Sequence, residues 1–185
     1  MNMIQRRERL VVVGNGMAGM RAVEELLKRN LVRYDTTVFG AEPHVNYDRI
    51  MLSSVLAGDK DIGDIVINPL SWYGENGIRL FAGDPVVAID RVAKTVRSES
   101  GRVEPYDRLL LATGSKPIVP PIPGLELPGV CAFRDIADIE QMIGASQRYR
   151  RAIVIGGGLL GLEAANGLLK RGMSVAVVHL FYTLM

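Results

Sequence analysis

Two glycine-rich hexads have the composition and spacing to cradle a pyrophosphate: Gly14-Asn15-Gly16-Met17-Ala18-Gly19 and Gly156-Gly157-Gly158-Leu159-Leu160-Gly161. Glycines at these positions let the chain turn sharply, and they let bare backbone N–H groups reach a phosphate at the start of the following helix. A lone hexad is weak evidence, because glycine turns between a strand and a helix also serve packing alone. Here each hexad follows a short aliphatic run, residues 10–13 and 152–155, and precedes a helical pattern. In that context two hexads imply two dinucleotides.

A dinucleotide fold commonly places an acidic residue about 20 positions beyond the cradle, where it bonds the adenosine ribose. After Phe39 that slot holds Gly40, and Glu42 follows two residues later. Glu42 reaches the ribose if its loop curls back, and is otherwise a solvated loop carboxylate. The corresponding slot after Val178 holds His179. A neutral imidazole can hydrogen-bond a ribose and a protonated one tolerates a 2′-phosphate, so His179 leaves NADH and NADPH both open. Cys131 is the only cysteine, which excludes an intramolecular disulfide, a Cys-x-x-Cys redox pair and a multi-cysteine cluster within this segment. It reads as a buried structural thiol. The two histidines, His44 and His179, lie far apart in sequence and give a histidine metal site little support.

The elements that must position these residues follow from periodicity. Residues 10–13 read as a buried parallel strand, 17–29 as a helix with Met20, Val23, Leu26 and Leu27 on one face, and 36–39 as the strand that completes a βαβ unit. An irregular stretch over 40–49 leads to a short helix over 50–56. Short β-like runs at 78–81, 86–89, 95–97 and 102–104 read as a small antiparallel meander with a turn at Ser100-Gly101. Residues 109–112 return to a parallel strand. Pro117, Pro120, Pro121, Pro123 and Pro128 interrupt regular structure, and Asp135 can cap a helix running to about Gly144. After the second hexad come a helix over 159–171 and a strand over 174–178. That is fewer strands than a mononucleotide-binding half normally has, so the second nucleotide fold reads as cut short.

Composition narrows the function classes. The chain is 48% apolar and 23% charged with a formal net charge of +2, ordinary for a globular protein and without the field that nucleic acid would call for. No apolar run approaches a membrane span and no signal-peptide pattern opens the chain, so the expected setting is the cytoplasm, with no nucleic-acid or membrane partner.

Four segments together carry a resemblance. They are the first hexad, Glu42-Pro43-His44-Val45-Asn46-Tyr47-Asp48-Arg49, Leu111-Ala112-Thr113-Gly114-Ser115-Lys116-Pro117, and the second hexad continued through Leu162-Glu163-Ala164-Ala165. This combination resembles the two-dinucleotide flavoprotein reductases. Within them, the first hexad and Tyr47-Asp48-Arg49-Ile50-Met51-Leu52-Ser53-Ser54 resemble the N-terminal part of the NAD(P)H-dependent assimilatory nitrite reductase large subunits. The resemblance runs from about Leu10 to the last residue, but covers only the opening portion of the family's protein.

The resemblance implies an α/β fold: a three-layer Rossmann-like FAD-binding domain with a small antiparallel β meander, then the start of a second Rossmann-like, NAD(P)-binding domain. The expected divisions are 1–116 for the first segment of the FAD domain, 117–150 for a proline-rich connection and helix, and 151–185 for the incomplete NAD(P)H domain. It implies FAD on Gly14, Asn15, Gly16, Met17, Ala18, Gly19 and Glu42, with Arg49 and Ser53 beside the flavin, Ala112, Thr113 and Gly114 closing over it, and Val87 meeting the adenine. It implies NAD(P)H on Gly156, Gly158, Leu159, Leu160, Gly161 and His179. Related ferredoxin reductases carry Arg-Pro-Pro-Leu-Ser-Lys where this chain reads Arg49-Ile50-Met51-Leu52-Ser53-Ser54, a departure that agrees with the nitrite-reductase branch.

Hydride transfer between two cofactors requires no side-chain acid or base, because the cofactors carry the chemistry. In the full family, electrons continue to iron–sulfur and sirohaem centres in a downstream part or through a small subunit, and those centres need cysteine ligands that this segment lacks. The isolated 185 residues are expected to bind FAD weakly or not at all and to carry no nitrite reductase activity. Exposed edges of an incomplete parallel sheet would favour a homo-oligomer. Three other readings stay open: a ferredoxin- or rubredoxin-reductase-type flavoprotein, a nucleotide-binding or assembly module without chemistry, and a dehydrogenase acting directly on an organic substrate.

Overall fold

Leu10, Val11, Val12 and Val13 are all buried, as an aliphatic run covered on both faces of a sheet must be. In the computed structural model, which describes residues 6–29 and 33–184, they form most of strand β1 (Glu8–Val13). Helix α1 (Met17–Arg29) follows, burying Gly19, Met20 and Val23, and leads to β2 (Tyr34–Gly40), parallel to β1. The contacts of the chain group it into two compact units, Met1–Tyr47 with Val66–Ser115, and Asp48–Ile65 with Lys116–Met185. Helix α2 (Leu52–Ala57) therefore belongs to the second unit.

The first unit continues through α3 (Leu70–Glu75), β3 (Arg79–Ala82), β4 (Val86–Asp90), β5 (Thr95–Ser98), β6 (Val103–Pro105) and β7 (Arg108–Leu111). Its main sheet has the order β3-β2-β1-β7, every pair parallel. This corrects one expectation. The run at 78–81 is not part of the meander, since β3 lies parallel to β2 with Phe39 opposite Phe81 and their rings 5.1 Å apart. The reason is α3, which periodicity did not reveal: it supplies the crossover that a parallel connection needs. The meander is the three-stranded antiparallel sheet β4-β5-β6.

Two clusters fill the two faces of the parallel sheet. Leu10, Val12 and Val38 pack with Met20, Val23, Tyr73 and Ile78 on the helical side, while Val11, Val13 and Phe39 pack with Val96 and Tyr106 on the meander side. The result is the three-layer Rossmann-like arrangement of helices, parallel sheet and meander.

One ion pair ties the sheet at the start of β7. The Arg9 side chain donates to Asp107 Oδ2 at 3.0 Å and to Oδ1 at 2.9 Å, and the Arg9 backbone N–H donates to Oδ2 at 2.8 Å. The Arg9 side-chain and backbone hydrogen bonds hold the Asp107 carboxyl well below the usual carboxylate range. A depressed carboxylate stabilises the fold above its unfolded value of about 4, and that contribution fades as pH falls toward the folded value. Asp107→Asn should accordingly flatten the acid limb of the stability curve below about pH 4. Urea midpoints of the two proteins measured from neutral to acid pH check this, and parallel acid limbs would contradict it.

The second unit adds α4 (Ile136–Arg148), β8 (Arg151–Ile155), α5 (Leu159–Lys170) and β9 (Ser174–Val178). Asp135 starts α4 with a reciprocal capping box, its side chain accepting from Asp138 N–H at 3.0 Å. Strands β8 and β9 are parallel, and α5 joins them into a βαβ unit. Segment 48–65 packs here because α2 buries Leu52, Val55 and Leu56, and Gly167 on α5 makes room: a Cβ there would meet Leu56 Cγ at 2.7 Å. Arg171 donates to the carbonyls of Val55 and Leu56 near the end of α2, and Gly58 ends that helix at φ +80°. Ile153, Ile155 and Val178 stay exposed on the β8–β9 ladder. Cys131, expected as a buried thiol, is exposed, because it falls in the irregular proline-rich stretch where no helix or strand covers it. No helix among the described residues is long and apolar enough to cross a membrane.

Candidate functional site

The two hexads adopt one geometry, and each glycine in them has a distinct physical task. Gly14 sits at φ +117° and Gly156 at φ +120°, backbone that L side chains rarely adopt. Their N–H groups close equivalent bonds, Gly14 to the Phe39 carbonyl and Gly156 to the Val178 carbonyl, both at 2.8 Å. A Cβ on Gly14 would overlap the Ala112 carbonyl oxygen. The last glycines bring helix against strand: a Cβ on Gly19 would lie 2.6 Å from the Gly14 carbonyl oxygen, and one on Gly161 would overlap that of Gly156. At the middle glycines the reverse holds. Around both Gly16 and Gly158 a Cβ would meet nothing within 4 Å, so this backbone faces open space just before the first turns of α1 and α5.

Around the first hexad the structure gathers several of the expected residues. Ala112 reaches it through β7, its N–H donating to the Val13 carbonyl at 2.8 Å. Thr113 and Gly114 follow, both exposed, with Gly114 at φ +71°. Met17 is half-buried and Ala18 exposed at the start of α1. The loop carrying Glu42 does return to the hexad: Asn15 Nδ2 donates to the His44 carbonyl at 3.1 Å. Glu42 itself accepts from the Tyr47 hydroxyl at 2.6 Å, which aims its carboxylate. Val87 lies on β4 in the meander and is 54% exposed.

A buried polar node behind Asn15 holds this arrangement, and nothing local in the sequence announced it. The Tyr73 hydroxyl donates to Asn15 Oδ1 at 2.8 Å and accepts from the Asn46 backbone N–H at 3.2 Å. Asn46 Nδ2 donates to Asn68 Oδ1 at 2.6 Å, and Asn68 Nδ2 to Glu24 at 2.9 Å. Tyr73 is almost fully buried, and that burial pushes its phenol up from its ordinary value. Asn46 Oδ1 is already buried without a partner. Tyr73→Phe would strand the Asn46 N–H as well, and should destabilise the first unit by about 1–3 kcal/mol. Chemical denaturation tests this; an unchanged midpoint would show the hydroxyl is dispensable.

The second unit holds the remaining candidates. Arg49 follows Asp48, which caps a 3₁₀ turn over Arg49–Met51, and its guanidinium donates to the Arg134 carbonyl at 2.7 Å. The Ser53 hydroxyl donates to the Ile50 carbonyl at 3.4 Å. Leu159 and Leu160 open α5 and are both more than half exposed. Gly158 precedes them as the N-cap with no side-chain cap bond, leaving the helix start to its own backbone N–H groups. His179, at the end of β9, accepts at Nδ1 from the Gly157 backbone N–H at 3.0 Å. A Cβ on Gly157 would stand 2.8 Å from His179 Cγ. Near the first hexad, a Cβ on Gly40 would stand 3.0 Å from Asn15 Cβ.

Comparison with known proteins agrees with this geometry. The family model described as pyridine nucleotide-disulphide oxidoreductase matches residues 8–185. Over 94% of its length the chain is 55% identical to an NAD(P)H nitrite reductase of Bacillus subtilis (strain 168), covering 22% of that protein. It is 47% identical, again over 94% of its length, to the assimilatory nitrate reductase electron transfer subunit of the same organism, covering 23%. Among solved structures, a ferredoxin reductase from Rhodopseudomonas palustris superposes with a TM-score of 0.89 at 27% identity, over 97% of this chain and 44% of that one. An NAD-dependent persulfide reductase from A. fulgidus does so with a TM-score of 0.87 at 27% identity, over 94% and 34%.

Proposed function

We propose, because this chain belongs to the pyridine nucleotide-disulphide oxidoreductase family, that it is the portion of an NAD(P)H-dependent nitrite reductase that receives electrons from the nicotinamide nucleotide. The observation that carries the reading is the matched pair of hexads. In each, the first glycine is required by its left-handed backbone and the last by packing, while the middle one leaves backbone open to a ligand.

FAD fits the first hexad and its surroundings. Gly14, Asn15, Gly16, Met17, Ala18 and Gly19 would hold the pyrophosphate at the start of α1. Glu42, aimed by Tyr47, would accept from the adenosine ribose, and the backbone of half-buried Ala112 and of exposed Thr113 and Gly114 would lie along the cofactor. Arg49 and Ser53 would serve the flavin end and Val87 the adenine. NAD(P)H fits the second hexad through Gly156, Gly158, Leu159, Leu160, Gly161 and His179. When bound, FAD supplies a two-electron acceptor for the nicotinamide hydride. The chain's own contribution is to bind and orient, so no side chain is required to move a proton. With this reading go a cytoplasmic setting and onward electron transfer to iron–sulfur and sirohaem centres, or to a small subunit, in a longer protein.

The test is spectroscopic. The chain is mixed with FAD, separated from free flavin, and titrated anaerobically with NADH and then NADPH. Bleaching of a bound flavin band by either nucleotide supports the proposal. No flavin uptake, or a bound flavin that neither nucleotide bleaches, points to a nucleotide-binding module without chemistry or an inert fragment, and nicotinamide reduction by an organic substrate without flavin points to a dehydrogenase.

A further inference from the structure

Asn15 carries the one polar side chain in either hexad, and a chain of donors dictates how its amide is turned. The Asn46 backbone N–H donates to the Tyr73 hydroxyl at 3.2 Å, and the Tyr73 proton goes to Asn15 Oδ1 at 2.8 Å. With its oxygen taken, the amide points Nδ2 at the His44 carbonyl, 3.1 Å away. That carbonyl sits midway in the loop 42–47, whose Tyr47 hydroxyl donates to Glu42 at 2.6 Å. The ends of the loop are fastened elsewhere: the Glu42 carbonyl accepts from the Gly83 N–H at 2.9 Å, and the Asn46 carbonyl from the Ile67 N–H at 2.9 Å. Its middle is tied to the hexad itself, through Asn15.

We infer that Asn15 is a positioning residue: its side chain strengthens FAD binding through Glu42, by strapping the 42–47 loop to the first hexad, and not by touching the cofactor. The inference rests on the reading of this hexad as the FAD site. The backbone N–H groups that approach a pyrophosphate are the same whatever side chain stands at position 15, so what the amide adds is the placement of the loop. The second hexad has Gly157 at the equivalent position, where no side chain can form such a strap. Two groups that act through one another have non-additive effects, whereas two independent contacts to one ligand add. One Nδ2 hydrogen is left over after the His44 bond, and a direct contact through it would show as additivity.

Amide hydrogen exchange of the whole chain without ligand reads the strap directly. Asn15→Ala should speed exchange over residues 42–47 and at Gly83 by about tenfold, with β1 exchanging as in the wild type. Asn15→Asp, which keeps an acceptor for the Tyr73 hydroxyl but has no donor for the His44 carbonyl, should do the same. FAD titrations followed by flavin fluorescence then complete a cycle with Glu42→Ala. Asn15→Ala should weaken binding about tenfold when Glu42 is present and less than about twofold when it is not. Unchanged exchange over 42–47 in both Asn15 variants, or an equal loss of affinity with and without Glu42, overturns the inference and leaves the site standing. A wild type that takes up no FAD overturns the site and the inference together.

Discussion

Gly14→Ala is expected to destabilise the first unit by about 3 kcal/mol or more, enough to leave much of it unfolded if its stability is in the usual range. Two independent costs combine. The residue sits at φ +117°, where an alanine is strained, and its methyl would overlap the Ala112 carbonyl oxygen. That oxygen has no easy retreat, because Ala112 is tied to β1 by its N–H bond to the Val13 carbonyl and β7 is registered on β1 with Val13 opposite Leu111. Relief would mean parting β7 from β1. Far-UV circular dichroism through a urea gradient should show the early loss of a transition, whereas a curve superimposable on the wild type would refute the argument.

Gly16→Ala, only two residues away, is expected to do the opposite. A Cβ there meets nothing within 4 Å and φ is not in the left-handed region. Stability should therefore stay within about 0.5 kcal/mol of the wild type. The open space is instead the approach proposed for the pyrophosphate, so the methyl should lower whatever affinity the chain has for FAD by about 30- to 100-fold, equivalent to about 2–3 kcal/mol. Flavin fluorescence titration on both proteins measures it. An alanine variant that binds FAD as well as the wild type would mean the phosphates do not pass over Gly16. The two variants separate folding from binding within one turn, which a substitution at Gly19, where a Cβ would press on the Gly14 carbonyl, could not do.

Much of the fold could be read from the chain because its signals are local. The aliphatic runs of β1 and β8, the helical spacing of α1 and α5 and the glycines between them are each contained in a few consecutive residues, and the Asp135 cap lies directly against the helix it starts. What periodicity missed depended on distant partners. Residues 79–82 have a strand pattern whether they run parallel or antiparallel, and only α3 and the Phe39–Phe81 pairing decide it. Tyr73, Asn46 and Asn68 look like ordinary polar or amphipathic residues until the chain folds them behind Asn15. The return of the Glu42 loop rests on the same node. Residue type alone points Cys131 inward, whereas it lies exposed in an irregular proline-rich stretch outside any helix or strand.

The contacts at Asn15 and His179 have a consequence for how either nucleotide site can change. The second hexad position and the slot after the next strand form one steric pair, and this chain fills it in opposite ways: Asn15 with Gly40 in one case, Gly157 with His179 in the other. Each pair is a shared volume that admits one side chain, so substitutions at its two ends are coupled rather than independent. Enlarging Gly40 presses on Asn15, and enlarging Gly157 presses on His179, so a larger residue at one end calls for a smaller one at the other. Redesign of nucleotide preference in this fold is therefore a two-residue problem.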